Sequence, residues 1–151
     1  MRRNRGRAVS VAALALALST AVALAAGPVR GATYRGSLSG AQSSITISFR
    51  VSTAGEQLRA IRLSALPIFC TGGAPPNSTL KFASAGVSRA GTFSTTGRDL
   101  LGVGPLKGTV AAKLTLSGAF AAGGRESGTV TTIFAGSARR CGGRARYRTR
   151  S

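Results

Sequence analysis

From Arg144 to Arg150 every second residue is an arginine. Arg144, Arg146, Arg148 and Arg150 alternate with Ala145, Tyr147 and Thr149, after Cys141-Gly142-Gly143. In a β-strand successive side chains point to opposite faces. Extended backbone therefore puts the four guanidinium groups on one face and Cys141, Gly143, Ala145, Tyr147 and Thr149 on the other. Four like charges cannot be buried unpaired, so the arginine face must be wet. The small and apolar face turns to a core. This predicts a final strand, stapled to the rest of the chain through one of only two cysteines. The alternative is a basic tail without regular structure, which requires no alternation.

The same period recurs upstream. Ile45, Ile47, Phe49 and Val51 fall on one face of a stretch whose other face carries Thr46, Ser48 and Arg50, the mark of a half-buried strand. Thr53-Ala54-Gly55-Glu56 reads as a hairpin turn into a return strand with Ile61 and Leu63 inward and Arg62 outward. Ala112, Leu114, Leu116 and Phe120 face in, while Lys113, Thr115 and Ser117 face out. Ala122-Gly123-Gly124-Arg125 turns the chain again. Gly108, Gly118 and Gly128 each open a glycine, small, apolar, small motif. A ten-residue spacing suits a strand plus a turn in an antiparallel meander. Thr71–Ser78 and Thr96–Pro105 read as loops from their glycines and prolines. No capped helical period appears after the N-terminal segment. The expectation is an all-β domain over residues 33–151, a single antiparallel sandwich of eight or nine strands with a jelly-roll or barrel-like variant open.

The first residues read differently. Four arginines in Met1–Arg7 precede an apolar run over Ala8–Ala26, and Ala23-Leu24-Ala25 offers small residues to a signal peptidase. This pattern predicts a secretory signal peptide over residues 1–25, followed by a flexible leader over residues 26–32. Cleavage after Ala26 and retention as an uncleaved anchor are the alternatives. No later segment is apolar enough to span a membrane. Four of the 21 basic residues fall in the signal. The remaining 17 face only Glu56, Asp99 and Glu126, for a net charge of +14. Such a charge sets a positive field over most of the surface and draws polyanions. Two cysteines in an exported chain predict one structural disulfide, Cys70 to Cys141. They are far apart in sequence and no histidine accompanies them, which argues against a redox or metal pair.

Several landmarks in order resemble a known group. They are Tyr34-x-Gly36, the Ile45–Val51 alternation after Gln42, Cys70 closing an apolar strand, Gly91-x-Phe93, Gly118-x-Phe120, Ser127-Gly128-x-Val130, and Cys141 before a short strand with Tyr147. Together they are similar to small secreted β-sandwich proteins of unknown function from high-GC Gram-positive bacteria. The resemblance implies export, the sandwich and the Cys70–Cys141 bridge, and brings no activity. The terminal arginine run is denser than the pattern implies.

The residue inventory excludes much chemistry. The absence of histidine removes Ser-His-Asp, Cys-His and His-metal sites. Phosphate-cradling and dinucleotide fingerprints are lacking. A carboxylate pair of the glycosidase kind would have to be drawn from Glu56, Asp99 and Glu126, and Glu56 and Glu126 read as surface residues. No enzyme, cofactor or metal is expected. The remaining lead is the arginine face, Arg144, Arg146, Arg148 and Arg150, extended by Arg139 and Arg140. Forked guanidinium donors suit phosphate and sulfate groups. Tyr147 points away from them, so specific nucleic-acid reading, which needs interleaved aromatics, is not expected. The expected partner of this extracellular monomer is an anionic cell-wall polymer or an anionic lipid surface. The alternatives are protein or glycan recognition through the two loops, and a charged face with no ligand.

Overall fold

A computed structural model describes residues 26–70, 79–102, 109–135 and 141–151. Nine strands form it: β1 (Thr33–Leu38), β2 (Thr46–Val51), β3 (Gln57–Leu63), β4 (Leu80–Lys81), β5 (Ala85–Gly86), β6 (Thr92–Gly102), β7 (Thr109–Ala121), β8 (Arg125–Phe134) and β9 (Gly143–Arg150). All belong to one antiparallel sheet in the order β4-β3-β2-β1-β9-β8-β7-β6, with β5 also paired to β3. Val87, just after β5, bridges Phe93 in β6 and draws the two ends of the sheet together. The short strands β4 and β5 both lie along β3, at different heights. The wall therefore has eight positions and is nearly closed. The chain takes the barrel-like form of the expected all-β architecture because β9 pairs with β1, leaving no second sheet to stack.

Alternation builds this wall. Tyr34, Leu38, Ile47, Phe49, Val51, Leu63, Leu114, Leu116, Phe120, Val130, Phe134, Ala145 and Tyr147 are all buried inside. Tyr34 stacks on Phe49 at 5.2 Å between ring centroids, and Phe93 and Phe120 close the cluster with edge-on and tilted contacts. Strict alternation breaks once. Leu58 and Ile61 both point inward, because register slips between Ser48 and Arg50 and Ala60 adopts a φ of 51°. That left-handed conformation, which costs a residue with a Cβ roughly 1–2 kcal/mol, inserts one extra residue and bends β3 round the wall.

One reading of the sequence is corrected. Thr96–Pro105 is not a loop through most of its length: Thr96 to Gly102 continue β6 and pair with β7 down to Thr109. Gly97 and Gly102 sit on a strand long enough to hold register against eleven partners, and propensity yields to that pairing; residues 103–105 lie outside the described residues. Gly118 and Gly128 are in mid-strand and directly opposite each other.

The leader residues have no strand of their own but are tied down. The Gly31 amide donates to the Ser52 carbonyl, Val51 N–H donates to the Ala32 carbonyl, and Val29 N–H donates to the Tyr34 hydroxyl. The expected signal peptide (1–25), the Thr71–Ser78 loop and the last turn, 136–140, lie outside the described residues, as do Arg139 and Arg140. Among the described residues no helix is long and apolar enough to cross a membrane.

Candidate functional site

Strand β9 lies between β1 and β8, and its two faces carry the charges of interest. Arg144, Arg146, Arg148 and Arg150 are exposed, whereas Ala145, Tyr147 and Thr149 are buried. The expected alternation is thus present over the whole strand. At about 6.6 Å per pair of residues, the four guanidinium groups are set along about 20 Å of outer wall.

The surroundings of this row are fixed by register. On the β8 side its partners are Thr131, Thr129, Ser127 and Arg125. On the β1 side Arg148 faces Ser37 and Arg150 faces Arg35. None is acidic. Arg144 donates from Nε to the Thr131 hydroxyl at 3.3 Å. Strand β9 itself is clamped at Arg146, whose carbonyl accepts from both the amide and the hydroxyl of Ser39. At its start, Cys141 is bonded to Cys70, with Cα atoms 4.2 Å apart, and its carbonyl accepts from the Phe69 amide. The row therefore stands on a strand fixed at its start and at its middle.

The inner face of β9 holds the one acid that the sequence reading misplaced. Glu126 is not a surface residue; it is only 2% exposed. Glu126, Gly128, Val130, Thr132 and Phe134 alternate along β8, so parity read back from Val130 would have found it inside. The Tyr147 hydroxyl donates to Glu126 Oε1 at 2.9 Å, and the Thr149 hydroxyl donates to Oε2 at 2.7 Å. Tyr147 Oη also lies 3.2 Å from the Ser117 carbonyl. Burial pushes the Glu126 carboxyl up to about 7, against the opposing pull of Thr149 and Tyr147. Burial, the neighbouring carboxylate charge and their hydrogen bond push the Tyr147 phenol well above its usual value.

Gly118 and Gly128 make room for this group. A Cβ on Gly118 would overlap Glu126 Oε1 and crowd the Tyr147 hydroxyl. One on Gly128 would overlap the Ser117 carbonyl and crowd the Tyr147 ring. At these two positions the glycine repeat is a slot for a buried tyrosine and carboxylate.

Asp99 and Glu126 are not brought together as a pair suited to hydrolysis. Asp99 pairs with Ala112 and Glu126 with Phe120. Those backbone positions are eight residues apart along β7, or roughly 27 Å, well beyond the roughly 5–10 Å of a glycosidase carboxylate pair. Glu56 is exposed in the β2–β3 turn. It lines a cavity of about 470 Å³ at that end of the barrel, with Pro28, Arg30, Val87, Ser88 and Arg89. Among the described residues no cluster of three metal-ligating side chains occurs. No protein-family model, curated protein or solved structure matches this chain, so the reading of the site rests on its geometry.

Proposed function

We propose that this is an exported, non-enzymatic protein that associates with an anionic polymer of the cell envelope through the outer face of β9. The observation that carries the reading is the arginine row itself. Arg144, Arg146, Arg148 and Arg150 are exposed in line on a fixed strand, with no acid among their register partners. Guanidinium groups held in this way offer paired donors to successive phosphate or sulfate groups with little further ordering. Arg139 and Arg140 continue the row in sequence. The signal-like N-terminus and the Cys70–Cys141 bridge support a location outside the cytoplasm.

The test is binding of the purified protein to isolated cell wall and to a panel of polyanions, at low and physiological salt. A variant with Arg144, Arg146, Arg148 and Arg150 changed to Ser runs beside it. The expected result is binding that survives physiological salt in the wild type and is lost in the variant. The slope of log affinity against log salt should fall by about 3 in the variant, as for the loss of four phosphate contacts. Equal binding by the two proteins overturns the proposal.

A further inference from the structure

The arginine row is one limb of a larger figure that only the register reveals. Arg125 of β8 faces Arg150 of β9, and Arg150 faces Arg35 of β1. Arg35 faces Ser48 of β2, Ser48 faces Arg62 of β3, and Arg62 faces Lys81 of β4. One continuous cross-strand row thus runs over six of the eight wall positions and carries five cations. All five are exposed. They come from five separate stretches of sequence, so no linear motif signals them. The row crosses the β9 ladder at Arg150.

Two properties of this belt point to a ligand and to its shape. The first is energetic. Arg125 with Arg150, Arg150 with Arg35, and Arg62 with Lys81 are like charges directly opposite each other, which destabilise a sheet. Of the three acids, Glu126 is inside the wall, Glu56 is in a turn and Asp99 is on β6, so none is a register partner of these cations. An anionic chain laid along the belt converts each repulsion into two attractions. The second property is geometric. Five strand spacings make a path of about 24 Å. With strands tilted by about 40°, such a row winds roughly 130° round an eight-stranded wall. No plane touches both Lys81 and Arg125, so neither a bilayer nor a stiff duplex can engage the whole belt.

We infer that the belt Lys81–Arg62–Arg35–Arg150–Arg125 is a second limb of the anion-binding surface, and that its ligand is a single flexible chain of closely spaced phosphates that bends round the barrel. The inference rests on the polyanion reading and narrows it from any anionic surface to a flexible polymer. Ser48, half-buried at the middle of the belt, leaves a hydroxyl where a cation would otherwise complete the row.

Long-chain inorganic polyphosphate is the probe, with tripolyphosphate and phosphatidylglycerol vesicles as controls. Three proteins are compared with the wild type: a belt variant with Arg35, Arg62, Lys81 and Arg125 changed to Ser, a ladder variant with Arg144, Arg146 and Arg148 changed to Ser, and their combination. All the changed residues are exposed, and circular dichroism checks the fold of each. The belt variant should lose salt slope on long polyphosphate by about 3. It should also lose most of the affinity that the wild type gains between tripolyphosphate and the long chain, while its vesicle binding stays as in the wild type. Wild-type slope and affinity in the belt variant, with loss in the ladder variant, overturn the belt and leave the β9 reading standing. Loss in the belt variant with none in the ladder variant upholds the belt and overturns the β9 reading. Vesicle binding that depends on the belt as strongly as polyphosphate binding overturns the flexible-chain ligand. No binding of polyphosphate by the wild type at physiological salt overturns both.

Discussion

The two faces of β9 are less than a side chain apart, yet they handle charge in opposite ways. Outside, four arginines share a row with threonines, serines and two further arginines, and water screens them. Inside, one carboxyl is boxed in by two hydroxyls and Gly118. The difference teaches that the number of charges is a poor guide to their energetic weight. Exposed like charges each cost a few tenths of a kcal/mol, whereas one buried carboxyl shifts its ionisation by more than two pH units.

The largest way to disturb this arrangement is to free the start of β9. Replacing Cys70 and Cys141 by Ser opens a loop of 71 residues, and the chain-entropy account gives a loss of about 4 kcal/mol. Urea unfolding of the double variant should show this, with a larger m-value because the unfolded chain is no longer cross-linked. A loss under about 1 kcal/mol would mean that the β1 and β8 pairings alone hold the strand.

The inner face comes next. Glu126 has a folded-state value of about 7 against an ordinary 4.5. The folded protein therefore holds this proton more tightly than the unfolded chain. Stability falls as pH rises from about 4.5 to about 7, by about 3 kcal/mol, and is level above that window. Glu126→Gln should match the wild type near pH 4 and exceed it by up to that amount at pH 8. Thermal melts of both proteins across this range check it, because the difference between them cancels the other acids. The protonated form also suits the geometry. The Tyr147 hydroxyl has one hydrogen and two acceptors, Glu126 and the Ser117 carbonyl. A protonated Glu126 can donate to Tyr147 and leave that hydrogen for Ser117.

Filling the slot is a smaller blow. Gly128→Ala sets a methyl group against the Ser117 carbonyl and the Tyr147 ring, and backbone cannot yield as a side chain can. A cost of about 1–3 kcal/mol is expected, with the pH dependence of stability steepened, because Tyr147 no longer helps to hold the Glu126 carboxyl down. Urea titrations at pH 5 and pH 8 read both effects.

The smallest effect belongs to the outer face. Arg150→Ser removes two directly opposed like-charge pairs, with Arg125 and Arg35. The variant should be more stable by a few tenths of a kcal/mol at low salt, and the gain should vanish at high salt. A destabilised Arg150→Ser would show that its aliphatic stem, and not its charge, matters to the wall.

Much of this comparison could be read from the amino acids. The period of two in Ile45–Val51, Ala112–Leu116 and Ala145–Thr149 identified the inward set correctly, because a strand with one wet face has no other way to sort its residues. The Cys70–Cys141 bridge followed from counting. What escaped was anything that depends on which strands are neighbours. Glu126 looked like a surface acid because carboxylates rarely go inside, and its compensating hydroxyls lie on a strand twenty residues later. The need for glycine at 118 and 128 was hidden because the ring that needs their space comes from β9. The cationic belt is invisible for the same reason: Arg35, Arg62, Lys81, Arg125 and Arg150 become a row only through register.

The seam between β1 and β9 has a consequence for how the molecule is made. Every other long pairing joins strands adjacent in sequence, so hairpins can zip as the chain emerges. The seam instead joins Ser39 to Arg146, 107 positions apart. Closure of such a distant contact is entropically slow. Until it forms, β1 and β9 each present an unpaired edge, open to a neighbouring chain. The arginines of β9 line one of these edges, and their mutual repulsion between molecules keeps two unfinished barrels from sharing a strand.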